Sequence, residues 1–249
     1  MSDALSVLRQ PKWLAMLLAL PALIALCFVA AKWQYGRHEV RAAEQNMADA
    51  AGTTPPVALS AVLGPGQPLE RDQKYTPVTV TGVYDQESVL IRNRSLNEVA
   101  GLWVVSALRA ADGTEILVLR GWMEATRDNA QTAVAPLPPS GTVTVTGVLQ
   151  ESEVKRGAGI LSNGEATSLN TEALCPEPTC YRAYLQATSS QPADSVQPIP
   201  VEGPGLGPHL GYAGQWVIFA IMLPIGYVIL IRREIKETRR PADALTGSG

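Results

Sequence analysis

WLAMLLALPALIALCFVAA, residues 13 to 31, runs for nineteen positions without a charged side chain, close to the roughly 20 residues needed to cross the hydrocarbon core of a bilayer. A second run, from Tyr212 to Ile231, is equally free of charge. Pro21 and Pro224 fall inside these runs, which a spanning helix tolerates when neighbours satisfy the freed carbonyls. The pattern predicts a membrane protein with transmembrane helices over 13–31 and 212–231. A cleaved signal peptide is the rival for the first run, with Ala30-Ala31 as a small-residue cleavage site. Its length, and the charged, helix-compatible stretch that continues to about Ala51 before TTPPV ends it, favour a retained anchor.

Charge sets the expected orientation. Arg232, Arg233, Lys236, Arg239 and Arg240 crowd one end of the second run, whereas no Lys or Arg lies between Arg182 and its other end. Bases concentrate on the cytoplasmic side of a span, so residues 232–249 are expected in the cytoplasm. The first run has bases on both flanks and decides nothing alone. Two spans place 1–12 beside 232–249 and put 32–211 outside, as an extracytoplasmic domain. From 33 to 211 there are 12 Lys and Arg against 19 Asp and Glu, a balance of −7. That surface repels a phosphate backbone, which argues against nucleic-acid binding.

The outer region reads as β-rich. TPVTVTGVY and SVLIRNRS have β-branched content and partial alternation, and GLWVVSALRAADGTEILVLRGWM reads as a hairpin turning at Asp112-Gly113. PLPPSG is a linker, GTVTVTGVLQES returns to strand, and within Glu165–Pro208 CYRAYLQAT is the strand-like part. VTVTGV occurs at Val78–Val83 and again at Val143–Val148; ordinary Val/Thr strand chemistry, with glycine permitting a bulge, accounts for the echo. The fold class is therefore α+β: two terminal spans bracketing a single sheet or open barrel.

Cys27 lies in the first run and reads as a buried apolar residue. Cys175 and Cys180, in CPEPTC, sit where disulfides persist and are disulfide candidates. A metal or redox pair is the weaker alternative, since the spacing is not Cys-x-x-Cys and no histidine is near in sequence.

No nucleophile elbow, Gly-rich phosphate loop or His-Glu-x-x-His is present, so an enzyme is not expected. The chain has two histidines, His38 and His209. His209, Tyr212 and Trp216 recur at i, i+3 and i+7, on one helical face. Two readings stay open: an interfacial aromatic anchor whose histidine bonds within its own domain, or an imidazole offered to a haem iron with aromatics walling the macrocycle. Arg37, one turn from Trp33, either snorkels to headgroups or pairs with a propionate. Arg120-Gly121-Trp122 ends a strand, where Gly121 permits a sharp bend.

These residues resemble the Surfeit-locus-one family of cytochrome c oxidase assembly factors. WQYGR at 33–37 is similar to the Trp-Gln-x-x-Arg after that family's first span, and YTPVTVTGVYDQESVLIRNR to its Gly-x-Tyr/Phe strand and the arginine-bearing strand after it. GLWVVSALRAADGTEILVLRGWM is similar to the segment ending in Arg-Gly-Trp, and HLGYAGQW to the His-x-x-Tyr-x-x-x-Trp that opens the second span. Pro208, where an asparagine-like residue is expected, and CPEPTC depart from the pattern. The resemblance implies a membrane assembly factor for an aa3-type haem-copper oxidase, in a bacterial cell membrane, acting where haem a reaches the catalytic subunit. His209 would then be the haem contact, with Tyr212, Trp216 and Arg37 around it. The expected partners are the oxidase catalytic subunit, haem a synthase and the lipid bilayer. A stable accessory subunit of the oxidase or its supercomplex is the alternative from another class, and a membrane-anchored sensor or lipid-binding module is a third.

Overall fold

A computed structural model describes residues 7–125, 133–153 and 164–246, with side chains described as far as residue 237. The chain divides into two units, one comprising Met1–Ala43 with Pro204–Gly249 and the other Glu44–Gly203.

The first unit is a helix pair. Helix α1 spans Pro11–Ala51, 41 residues, or about 60 Å at 1.5 Å per residue, so the apolar run is only its first half. It stops where Thr53 and Thr54 turn amides and hydroxyls back onto the Ala50 carbonyl and Pro55-Pro56 cannot continue it. The C-terminal helix covers His209–Thr246 and starts three residues before the expected span, because the Pro208 carbonyl accepts the Tyr212 amide at 3.1 Å. Both helices are long and apolar enough to cross a membrane. Their outward faces carry large bare side chains, among them Leu18 at 72% exposure and Ile229 at 60%. A surface of that kind is a liability in water and ordinary against lipid.

The second unit is a barrel. Its strands are β1 (Val57–Ala58), β2 (Pro77–Ile91), β3 (Gly101–Ala110), β4 (Glu115–Glu124), β5 (Thr142–Glu151), β6 (Glu165–Ala166) and β7 (Cys180–Gln191), with a one-turn helix α2 (Thr171–Leu174) before β7; the C-terminal helix is α3. The path β2-β3-β4-β7-β5 returns to β2. The expected sheet or open barrel therefore closes. Closure depends on the fifteen-residue β2, whose first half pairs with β5 through Val83↔Thr142 and whose second half pairs with β3 from Gly82↔Ala110. All the long pairings are antiparallel except β4 with β7. Five long strands joined this way, with the first shared and the third and fifth parallel, form an OB-fold barrel.

The repeated VTVTGV segments lie against each other across the β2–β5 seam. Val80 faces Val145, Val78, Val80, Val143 and Val145 enter the core, and outside Thr79 meets Thr146 at 3.2 Å while Thr81 meets Thr144 at 3.0 Å. At Gly82 and Gly147 a Cβ would run into the backbone carbonyls of Arg109 and Gln186, so each glycine sits where its strand passes close to a third. The echo is strand chemistry used twice at one junction.

Strands β3 and β4 are buried on both faces, which is why EILVLRGWM lacks alternation. Leu108, Ile116 and Val118 enter the barrel core with Tyr84, Leu149 and Leu185. Val105, Leu117 and Leu119 pack instead under the segment before β7, with Leu169, Cys175, Cys180 and Tyr184. Cys175 and Cys180 are joined in a disulfide, Cα atoms 6.1 Å apart, inside that outer cluster.

Burial holds the phenols of Tyr84 and Tyr184 above the ordinary tyrosine range, with Asp194 adding to the effect at Tyr84 and Glu153 at Tyr184. A raised phenol favours the folded state's neutral form. The stabilisation is complete below about pH 10, where unfolded tyrosine is still protonated, and is lost as pH climbs toward the folded value. Each ring should remove up to ~1.4 kcal/mol of stability per pH unit in that window. Thermal melts of the solubilised protein should fall above about pH 10, and Tyr84→Phe/Tyr184→Phe should flatten the fall. An identical slope in the double variant would contradict this.

Candidate functional site

On α1, Trp13, Leu20, Ile24, Cys27, Ala31, Gln34, His38 and Arg41 are buried or half-buried. On α3 the same holds of His209, Ala213, Trp216, Ala220, Leu223, Tyr227 and Glu234. Spacings alternating between three and four residues are a heptad seam, the geometry of two helices packed at a shallow left-handed angle. The cross-links run antiparallel: Lys12 Nζ to Glu234 Oε1 at 2.6 Å, the Tyr227 hydroxyl to the Trp13 carbonyl at 3.2 Å, His209 to Gln34, and Arg41 Nη1 to the Pro204 carbonyl at 3.2 Å. Small residues, Cys27, Ala31, Ala213 and Ala220, are buried along the seam. Cys27, read from sequence as a buried apolar residue, is one of these, 6% exposed.

The polar end of this seam holds the predicted site. His209 Nδ1 lies 2.9 Å from Gln34 Oε1. Trp216 is in the seam one heptad further on, with its ring edge-on to Phe219 at 5.8 Å. Tyr212 stands beside the seam, 47% exposed, so the three residues read as sharing a face divide into two seam positions and one flank. Arg37 is exposed, and its guanidinium makes no ion pair or hydrogen bond among the described residues. No hydrogen bond or ring contact joins His209, Tyr212, Trp216 and Arg37 to one another among those residues; the bond that forms is to Gln34. His38, one turn beyond Gln34, has a buried Nδ1 without a partner among the described residues. Sequence reading gave Gln34 no role, although the spacing from Trp13 through Leu20 and Cys27 already puts it on the seam.

Among the described residues no cluster of three or more His, Cys, Asp or Glu could hold a metal ion. An imidazole hydrogen-bonded at one nitrogen to a carboxamide oxygen would have its other nitrogen for a haem iron, so His209 is the residue that would hold one. An exposed guanidinium suits a carboxylate. Deeper in the pair, a cleft of about 420 Å³ is lined by Met16, Leu20, Leu23, Met222 and other apolar residues. It offers no nitrogen or sulfur donor except thioethers.

Arg120-Gly121-Trp122 has a different task. Val105 pairs with Leu119 and Val104 with Gly121, so Arg120 is the extra residue of a β-bulge. Its side chain is 0% exposed. Nε and Nη2 clamp Asp194 at 2.8 Å each. Nη1 and Nη2 reach the Pro136 and Leu137 carbonyls at 2.8 and 3.1 Å, and Nη1 also meets Ser88 Oγ at 3.2 Å. Every guanidinium donor is used. The Trp122 indole donates to the Arg94 carbonyl at 2.7 Å. A further cavity of about 430 Å³ is lined by Arg92, Asn93, Arg94, Gly101 and Glu165. Its two cations are already neutralised, Arg92 by Glu165 and Arg94 by Glu153.

The sequence profile of the SURF1 family matches residues 22–221, a stretch that includes Gln34, the whole barrel and His209. SURF1-like proteins of Mycobacterium bovis and of two strains of Mycobacterium tuberculosis, themselves uncharacterized, are 32% identical to the chain over 247 residues. The alignment covers 95% of this chain and 89% of theirs.

Proposed function

We propose, since the chain belongs to the SURF1 family, a family of cytochrome oxidase assembly factors, that it is an integral membrane factor that assists delivery of haem a to the catalytic subunit of a haem-copper oxidase. The observation that carries the reading is the half-buried His209, tied through Nδ1 to Gln34 at one polar end of a helix pair whose middle is apolar. An imidazole so placed can take a haem iron at the margin of the bilayer. Arg37, exposed one turn from Gln34's layer, offers a charge for a propionate, and Tyr212 on the flank offers an exposed aromatic ring, with Trp216 half-buried in the seam.

In this reading α1 and α3 cross the membrane, both termini are cytoplasmic, and the barrel is extracytoplasmic. Two observations support that orientation. The bases at 232–240 follow the apolar part of α3, as positive-inside placement requires. The Cys175–Cys180 disulfide lies in the barrel unit, and disulfides persist on the oxidising side of a bacterial membrane. The role is one of binding and presentation: haem a is cargo, held at one nitrogen and released to the oxidase.

The test is the reduced-minus-oxidised absorbance spectrum of membranes from cells lacking this protein. The haem a band should be depressed, restored by the wild-type chain and not restored by His209→Ala at equal protein level. A haem a band unchanged by deletion would reject the assembly role. Full rescue by His209→Ala would remove the histidine from it.

A further inference from the structure

We infer that Gln34 is a positioning residue for His209: its side-chain carbonyl keeps the imidazole proton on Nδ1, and so leaves the lone pair on Nε2 for an incoming iron. The inference rests on the reading of His209 as the haem contact, but the proton's location is a property of the free protein and is measurable without haem.

The geometry is specific. A neutral imidazole carries one N–H and one lone pair, and a carboxamide oxygen can only accept. With Nδ1 at 2.9 Å from Gln34 Oε1, the bond forms with Nδ1–H as donor, and Nε2 is the unprotonated nitrogen. Both residues occupy seam positions, where packing restricts their rotamers. The neighbouring cation does not compete, because Arg41 Nη1 is engaged by the Pro204 carbonyl at 3.2 Å.

The other edge of the ring is kept clear. Gly207 has φ +61°, and a Cβ there would sit 3.4 Å from His209 Cδ2 and 3.7 Å from Nε2. A residue other than glycine at 207 would be strained in its backbone, and its Cβ would stand in van der Waals contact with the edge that bears the lone pair. One residue sets the proton on Nδ1; the other leaves Nε2 room. An outer partner of this kind fixes a ligating histidine's tautomer and orientation, and its loss typically weakens metal binding about 10–100-fold.

The experiment uses the full chain in nanodiscs with nitrogen-labelled histidine, without haem, at a pH where the ring is neutral. Because the chain has two histidines, His38→Gln assigns the spectrum. The expected result is a protonated Nδ1 and an unprotonated Nε2 on His209, with that preference lost in Gln34→Leu and kept in Gln34→Glu, whose carboxylate also accepts. Haem a titration followed in the Soret band should then show about 10–100-fold weaker binding for Gln34→Leu and near wild-type binding for Gln34→Glu. Two results would overturn the inference: His209 protonated on Nε2 in the free protein, as when the Gln34 amide presents its NH2 instead, or Gln34→Leu leaving tautomer and affinity unchanged. If the tautomer follows Gln34 as expected but His209→Ala binds haem a normally, the proton placement stands and the haem reading of His209 fails.

Discussion

In thermal melts of the solubilised protein, Arg120→Leu will lose about 3–5 kcal/mol, the cost of breaking a buried ion pair on one side only. For a unit of this size that is a fall of roughly 10 °C or more. The loss comes less from the missing attraction than from what stays behind. Asp194 keeps a charge whose bidentate partner is gone, and the carbonyls of Pro136 and Leu137 lose their donor. Asp194→Leu should cost a similar amount by stranding the guanidinium. Removing both charges in Arg120→Met/Asp194→Leu should be milder than the sum of the two, because a buried pair exchanged for apolar side chains escapes the desolvation penalty. Strict additivity in that cycle would mean that the two side chains do not act as a pair.

Gly101→Ala should be nearly as damaging, at about 3 kcal/mol. A Cβ at that position would fall within the Trp122 indole, and the ring has no free direction of retreat. Its Nε1 is bonded to the Arg94 carbonyl at 2.7 Å, and its backbone amide to the Gln197 carbonyl at 2.8 Å. Expelling the indole therefore breaks the link between the β2–β3 loop and the strap that follows β7. The substituted protein should melt lower and show red-shifted tryptophan emission. Wild-type melting would show that the ring slides aside at little cost.

The elements written in local patterns were readable directly from the sequence. Two uncharged runs gave the long apolar helices, Asp112-Gly113 gave the β3–β4 turn, and CYRAYLQAT gave β7. What escaped was non-local. Closure of the barrel depends on one strand, β2, serving two neighbours, and nothing within Pro77–Ile91 announces a second partner. The parallel β4–β7 pairing joins segments separated by a long connection. A bulge is equally silent, so Arg120 read as part of a strand end rather than as a buried hub. At the candidate site, His209 stood out because histidine is rare in this chain. Gln34 did not, since its part depends on which residue of α3 arrives opposite it.

The cross-links along the helix pair bear on how it can move. Slippage by one helical turn, about 5.4 Å, would at once break Lys12–Glu234 at one end and Gln34–His209 at the other. The pair is built as a strut rather than a piston. Under the proposed role, cargo exchange at the His209 end needs only side-chain rotation and approach of the acceptor, without the two rods sliding past each other.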